Sequence, residues 1–195
     1  TADLKSHCFL CKANTDLVRH VNARVCRPCS AHFSSRGGGR LPPSAYIEPS
    51  TILPHLFLGP ERSSVDKDKL RELGIAKILV VSDSSYVYFP EEPSLTYKRI
   101  DIKDEPGVRI EDHLQGAFDF LDGPENQRVL VHCVSGMSRS AAVVVAYLMK
   151  THRWTFQKSL EFVRQKRPYV SLNPGFEKQL KKLELLWGLA PGINK

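Results

Sequence analysis

Long hydrophobic runs are missing from this chain. No stretch of about 18 apolar residues occurs, the length a helix needs to cross a bilayer, so no membrane span is expected. Internal repeats are absent as well, which removes solenoids and propellers. No leader pattern of charged start, apolar centre and small-residue end opens the sequence, but it begins at Thr1 rather than Met, so targeting stays open. Sulfur is sparse, with five cysteines and two methionines among 195 residues, and four of those cysteines crowd into the first 29 positions. What remains is ordinary for a folded protein. Hydrophobic residues make up 42% and charged residues 25%, enough for a core under a polar surface. The length suits one domain of about 100–150 residues plus something small.

Charge is unevenly distributed. The net value is +7, of which residues 1–44 supply +5, from seven Lys/Arg against two Asp/Glu, and residues 45–195 supply +2, from 21 against 19. A basic leading segment invites a nucleic-acid or acidic-membrane reading. If Cys8, Cys11, Cys26 and Cys29 bind one zinc ion as thiolates, two units are removed and about +3 is left. That is too modest a patch to mark a nucleic-acid surface, so such a partner is not expected.

The organisational break falls at "SSRGGGRLPPS", residues 34–44, where three glycines and a Pro-Pro pair suit neither a helix nor a sheet interior. Three parts follow: a cysteine-rich module over 1–33, a flexible linker over 34–45 and a larger domain over 46–190. In the larger part, strands are predicted at 51–60, 76–83, 95–102 and 128–133. Helices are predicted at 63–74, opened by a serine cap and closed by Gly74, and at 109–122, 138–152, 155–167 and 173–188. Their apolar faces comprise Leu114, Phe118 and Leu121; Phe156, Leu160 and Val163; and Phe176, Leu180, Leu183 and Trp187. This is an α/β pattern.

The chemistry concentrates in "VLVHCVSGMSRSAAVVVAYLM", residues 129–149. A strand ends at Cys133, five residues arch over, and a helix starts near Ser138 or Arg139. Such an arch can turn successive backbone N–H groups inward as an anion cradle, to which the helix N-terminus adds positive potential. A cysteine at its base is expected to react as the thiolate. Arg139 supplies a rigid fork of donors matched to phosphate oxygens, and Gly136 lets the arch turn tightly. A sulfur nucleophile under a phosphate-shaped cup points to phosphoryl transfer.

The run His132-Cys133-Val134-Ser135-Gly136-Met137-Ser138-Arg139-Ser140 resembles the H-C-x-x-G-x-x-R-S signature of the cysteine-dependent protein phosphatases. Over roughly residues 46–188 the resemblance is to their dual-specificity branch: "LPHLFLG" (53–59) is similar to its opening strand and "RQKRPYVSLNPGFEKQL" (164–180) to its late segment. Leu172 departs from the proline common in relatives of the MAP-kinase phosphatase type, with only local loop effects expected. The resemblance implies a central mixed β-sheet flanked by α-helices, preceded here by the small zinc-binding module. It implies a phosphate cradle made by Val134, Ser135, Gly136, Met137, Ser138 and Arg139, and a nucleophile at Cys133. Ser140 would steady the sulfur as a leaving group, and His132 would sit behind the loop. The family also uses a general acid about thirty residues before the cysteine. Asp104, 29 residues before Cys133 and just past a predicted strand, fits that spacing, with Asp101, Glu105 and Asp112 as rivals. Arg167 reads as a dipole partner at a helix end, or as a contact for a second phosphate or an acidic flank.

The leading segment, "HCFLCKANTDLVRHVNARVCRPC", has the spacing C-x2-C-x14-C-x2-C, which suits one structural zinc held by Cys8, Cys11, Cys26 and Cys29. A disulfide pair is the alternative, as is replacement of one cysteine by His7, His20 or His32. A thiolate nucleophile needs a reducing compartment, which favours zinc and places the protein inside the cell, cytoplasmic or nuclear. Catalysis by sulfur needs no cofactor.

Two function classes compete. One is a protein phosphatase acting on phosphotyrosine and phosphoserine/phosphothreonine through a phosphocysteine, with phosphoproteins as substrates and a possible protein partner for the zinc module. The other is a binding protein, either a pseudophosphatase that captures phosphoproteins or a zinc adaptor. Phosphatases of non-protein phosphoesters carry more basic or polar loops than the neutral Val134 and Met137 offer here.

Overall fold

The computed structural model describes residues 17–20 and 23–26 by their backbone, and residues 47–123 and 127–189 in full. The chain divides into two compact units, Thr1–Ala45 and Tyr46–Lys195. In the first unit β1 (Leu17–His20) pairs antiparallel with β2 (Ala23–Cys26), Leu17 opposite Cys26. Of the expected zinc ligands, Cys26 closes β2, while Cys8, Cys11 and Cys29 lie outside the described residues.

The second unit is built on a five-stranded sheet. Its strands are β3 (Ser50–Leu53), β4 (Leu56–Pro60), β5 (Ile75–Val81), β6 (Thr96–Ile100) and β7 (Arg128–Cys133), in the order β3-β4-β7-β5-β6. The β3–β4 pair is antiparallel and the other pairings are parallel, so the sheet is mixed. Its central strands read as nearly unbroken apolar runs because both faces are covered. The period of two then sorts them. Leu56, Leu58, Leu79, Val81, Val129 and Val131 join the main core, and Phe57, Ile78, Val80 and Leu130 a smaller one on the opposite face.

Helix α1 (Lys67–Glu72) contributes Leu70 to the smaller core. The main core is closed by α2 (Glu111–Leu121), α3 (Arg139–His152), α4 (Phe156–Lys166) and α5 (Pro174–Leu186). Every α3 residue from Arg139 to Met149 is buried, so α3 is the central helix rather than an amphipathic surface one. The α4 and α5 caps are local: the side chains of Thr155 and Asn173 accept from the N–H groups of Lys158 and Phe176.

Two sequence-based boundaries need correction. The single strand expected over 51–60 is a hairpin, β3 and β4, because Pro54 and His55 form a turn between two apolar stretches. The helix expected from Ser63 begins later: Glu61–Ser64 is a 3-10 turn, and Asp66 rather than a serine caps α1. Gly74 does close that region, in the left-handed conformation with φ of 65°.

Candidate active site

The site lies where β7, at the middle of the sheet, runs out at its carboxyl end, the place open parallel sheets reserve for ligands. What shapes the connection from β7 to α3 is the fate of its carbonyls. Val134 O accepts from Glu61 N at 3.3 Å, and Met137 O from Ser171 N at 2.9 Å. Arg167 takes the two between, with Nε donating to Gly136 O at 2.8 Å and Nη2 to Ser135 O at 3.3 Å. Four consecutive carbonyls are thus drawn outward, which turns the loop's N–H groups towards its hollow side. Gly136 makes the turn with φ of 66°, and a Cβ there would stand 2.5 Å from the backbone of Gly59. Ser138, the residue at the α3 N-cap, does not cap that helix with its side chain, so the first N–H groups of α3 stay available to an anion.

Cys133 sits at the floor of this cup, fully buried. Gly136 N donates to its sulfur at 3.3 Å, and Ser140 Oγ lies 3.1 Å from it. Two donors aimed at one sulfur are what a sulfur anion requires. Arg139 is held from one side only: Nη1 donates to Ser82 Oγ at 3.0 Å, Asp83 Oδ1 at 3.1 Å and Ile102 O at 3.3 Å. Its Nε is buried with no partner, an orphaned donor that a bound oxyanion would satisfy. The fork is therefore pinned at one prong and left open at another.

Asp104 stands beside the cup. Its Oδ1 accepts from Ser138 Oγ at 2.6 Å and from Asn173 Nδ2 at 2.7 Å, so both donors engage one oxygen and leave Oδ2 open. The rival carboxylates face elsewhere. Asp101 pairs with Arg99, Asp112 pairs with Arg109 at the first turn of α2, and Glu105 is exposed. Of the four, Asp104 is the one bonded to the loop.

Behind the cup, His132 is fully buried. Burial pushes its imidazole down to about 4, against opposing pulls from Glu61 and the Cys133 backbone, so it is neutral at ordinary pH. Glu61 is buried too, accepting from Tyr86 N at 3.2 Å and Tyr88 Oη at 2.7 Å. Burial and that carboxylate push the Tyr88 phenol up to about 12. Arg167 stands at a helix end, as read from sequence, but its burial corrects the alternative of a contact for a second phosphate or an acidic flank. It is the C-cap residue of α4, wholly buried behind the phosphate cup, stacked on Tyr169 at 4.3 Å and with Nη1 donating to Glu48 O and Ser50 Oγ, each at 3.4 Å. Sequence reasoning passed over Ser82, Asp83, Glu61 and Asn173 as parts of the site; only Asn173 stood in a motif that could have revealed it.

No metal-binding cluster of His, Cys, Asp or Glu occurs among the described residues, and none of their helices is long and apolar enough to cross a membrane. The family described as "Dual specificity phosphatase, catalytic domain" matches residues 56–185. Mouse "Dual specificity protein phosphatase 2" is 37% identical over 171 residues, covering 87% of this chain and 53% of that protein. The chain thus spans about half that relative's length. Arabidopsis thaliana "Dual specificity protein phosphatase 1" is 38% identical over 138 residues, 70% of this chain and 69% of that one. Among solved structures, the human "tyrosine phosphatase-like serine/threonine/tyrosine-interacting protein" superposes with a TM-score of 0.67 at 32% identity, covering 72% of this chain and 98% of that chain.

Proposed function

The chain belongs to the dual specificity phosphatase family, and from that premise we propose that it hydrolyses phosphotyrosine and phosphoserine or phosphothreonine in proteins through a phosphocysteine at Cys133. The observation that carries the reading is the cup itself: four carbonyls drawn outward, two donors on the sulfur and an orphaned Arg139 Nε. The backbone N–H groups of Val134 to Arg139 and the Arg139 fork would hold the three non-bridging oxygens, most tightly as charge spreads over them in the transition state.

In the first step the Cys133 thiolate attacks phosphorus while the bond to the leaving oxygen breaks, and Asp104 delivers its proton from Oδ2 to that oxygen. In the second, water attacks phosphorus, Asp104 takes a proton from it, and the S–P bond breaks with its electron pair returning to sulfur. Ser140 Oγ, 3.1 Å from that sulfur, would steady the departing thiolate. His132, neutral and buried, takes no proton in either step.

A capture protein is the competing reading, and one relative is itself named an interacting protein. The side chains needed for turnover are all present here, which favours the enzyme. Turnover of an aryl phosphate by the wild type, lost in Cys133→Ser, supports the proposal; binding of phosphopeptides without turnover refutes it. The neutral Val134 and Met137 favour phosphoprotein over more highly charged phosphoesters. The leading segment is proposed to hold one structural zinc through Cys8, Cys11, Cys26 and Cys29, four thiolates that would close a tetrahedral shell and leave catalysis to sulfur alone. That module could receive a protein partner. Residence in a reducing compartment, cytoplasmic or nuclear, follows from the thiolate.

A further inference from the structure

The loop bearing Asp104 is fastened along one helix. Asn173, the α5 N-cap, turns its Oδ1 to Phe176 N at 2.9 Å, which leaves its Nδ2 facing Asp104 Oδ1 at 2.7 Å. Its backbone N donates to Ser138 Oγ at 3.0 Å, and Ser138 in turn donates to Asp104. Two residues on, Gly175 lies so close to Pro106 that a Cβ would overlap the Pro106 carbonyl. One turn further, Gln179 Nε2 donates to Val108 O at 2.8 Å and its Oε1 accepts from Ile110 N at 2.8 Å. The N-cap residue of α2, Ile110, offers no side-chain cap, so Gln179 supplies one from another helix.

We propose that the α5 N-terminus is the seat of the general-acid loop, and that Asn173 is the positioning residue that orients Asp104 for proton transfer. This rests on the role given to Asp104 above. Asn173 does not touch the phosphate; it acts through Asp104. The helix cap fixes which way the amide points, the amide fixes which carboxylate oxygen is engaged, and Oδ2 is left to carry the proton. Gly175 and Gln179 hold the loop at 106 and at 108–110, so the acid is in place before substrate arrives. The run Asn-Pro-Gly-Phe-x-x-Gln thereby acquires a physical account: cap and amide donor, helix start, close approach, core residue, and loop clamp.

The test uses Asn173→Ser, because serine still accepts at an N-cap but cannot reach Asp104 with an amide donor. Rates on a phosphothreonine peptide, whose alkoxide must be protonated, are compared with those on 4-nitrophenyl phosphate, whose leaving group needs little help. General acids contribute about 10²–10⁴-fold, and a misplaced group forfeits much of that, so a loss of about 10–100-fold is expected on the peptide and under about threefold on the aryl ester. In an Asp104→Asn background the Asn173→Ser change should add less than about twofold, since the group it positions is gone. Gly175→Ala, which pushes on Pro106 while suiting the helix better, should show the same substrate split. Equal losses on both substrates, or a further loss in the double variant, would overturn the proposal. If Asp104→Asn alone left the peptide rate intact, the acid assignment would fall, and that failure is visible without touching α5.

Discussion

Replacing Arg167 by methionine tests what the buried arginine does for the phosphate cup, although it also removes the Nη1 bonds to Glu48 O and Ser50 Oγ, each at 3.4 Å. Methionine fills much of the volume but donates nothing, so Gly136 O and Ser135 O lose the donors now at 2.8 and 3.3 Å. A buried acceptor left unpaired costs about 1–3 kcal/mol, so for two of them about 2–6 kcal/mol of stability should be lost. With 1 kcal/mol worth about 2–4 °C in a domain of this size, the melting midpoint should fall by about 4–24 °C. Typical domains hold about 5–15 kcal/mol, more than this loss over most of that range, so the variant should still fold at 20 °C. Its activity should fall further than its stability implies. With the carbonyls released, the peptide groups of residues 135–137 can rotate, and one that rotates withdraws an N–H from the cup and presents an oxygen to the phosphate. Losing one such donor costs about 10²–10³ in rate. The assay is kcat/KM on a small aryl phosphate well below the variant's midpoint, paired with affinity for orthovanadate as a phosphate mimic. A loss of both is expected. Arg167→Met that melts early yet keeps its rate and vanadate affinity within about twofold would show that the outward carbonyls do not depend on Arg167.

Gly136→Ala should be folded but nearly inactive, because a left-handed alanine costs about 1–2 kcal/mol and its Cβ meets the Gly59 backbone at 2.5 Å; normal turnover would remove the steric account of the loop. Ser140→Ala should slow the second step more than the first, so that phosphoenzyme builds up in a rapid-quench time course; a loss confined to the first step would contradict its assignment to the leaving sulfur. The His132 imidazole, held near 4 in the fold against about 6.5 when unfolded, binds no proton in the fold where the unfolded chain does. Stability is therefore fully present above about pH 6.5 and is lost as pH falls towards 4, by about 2 kcal/mol at pH 5. Urea midpoints at pH 7 and pH 5 check this, and a His132→Gln variant should lack that share of the drop. If the leading segment holds the proposed zinc, chelation should leave hydrolysis of a small aryl phosphate intact, since no proposed catalytic step uses a metal ion; a large loss would tie the leading segment to the cup.

The catalytic stretch was legible in sequence because its parts are contiguous. The run from Val129 to Met149 predicted a strand to Cys133 and a helix from Ser138, and the structure has β7 ending at Cys133 and α3 starting at Arg139. Burial on both faces gives such a segment a strong signal, and the polar cluster between marks the turn. Asp104 emerged from a spacing taken from the family, not from its surroundings, and Ser138 and Asn173 supply the local reason it faces the loop. The ties that shape the cup were hidden. Glu61, Ser171 and Arg167 lie far from the loop's carbonyls in sequence, and nothing in a guanidinium at a helix end foretells that it points inward. The β3–β4 hairpin was missed for the opposite reason: its two strands are so close that one apolar pattern covers both.

The proposed mechanism passes through a covalent phosphocysteine at Cys133, which acid quenching can trap. The enzyme is mixed with an aryl phosphate, stopped within its first turnover, and mapped by peptide mass spectrometry. One phosphate should be found on the peptide bearing Cys133, in larger amount in Asp104→Asn, where the second step lacks its base, and none in Cys133→Ser, which should also fail to turn over. Hydrolysis by Cys133→Ser near the wild-type rate, or phosphate trapped on a different residue, would contradict the mechanism.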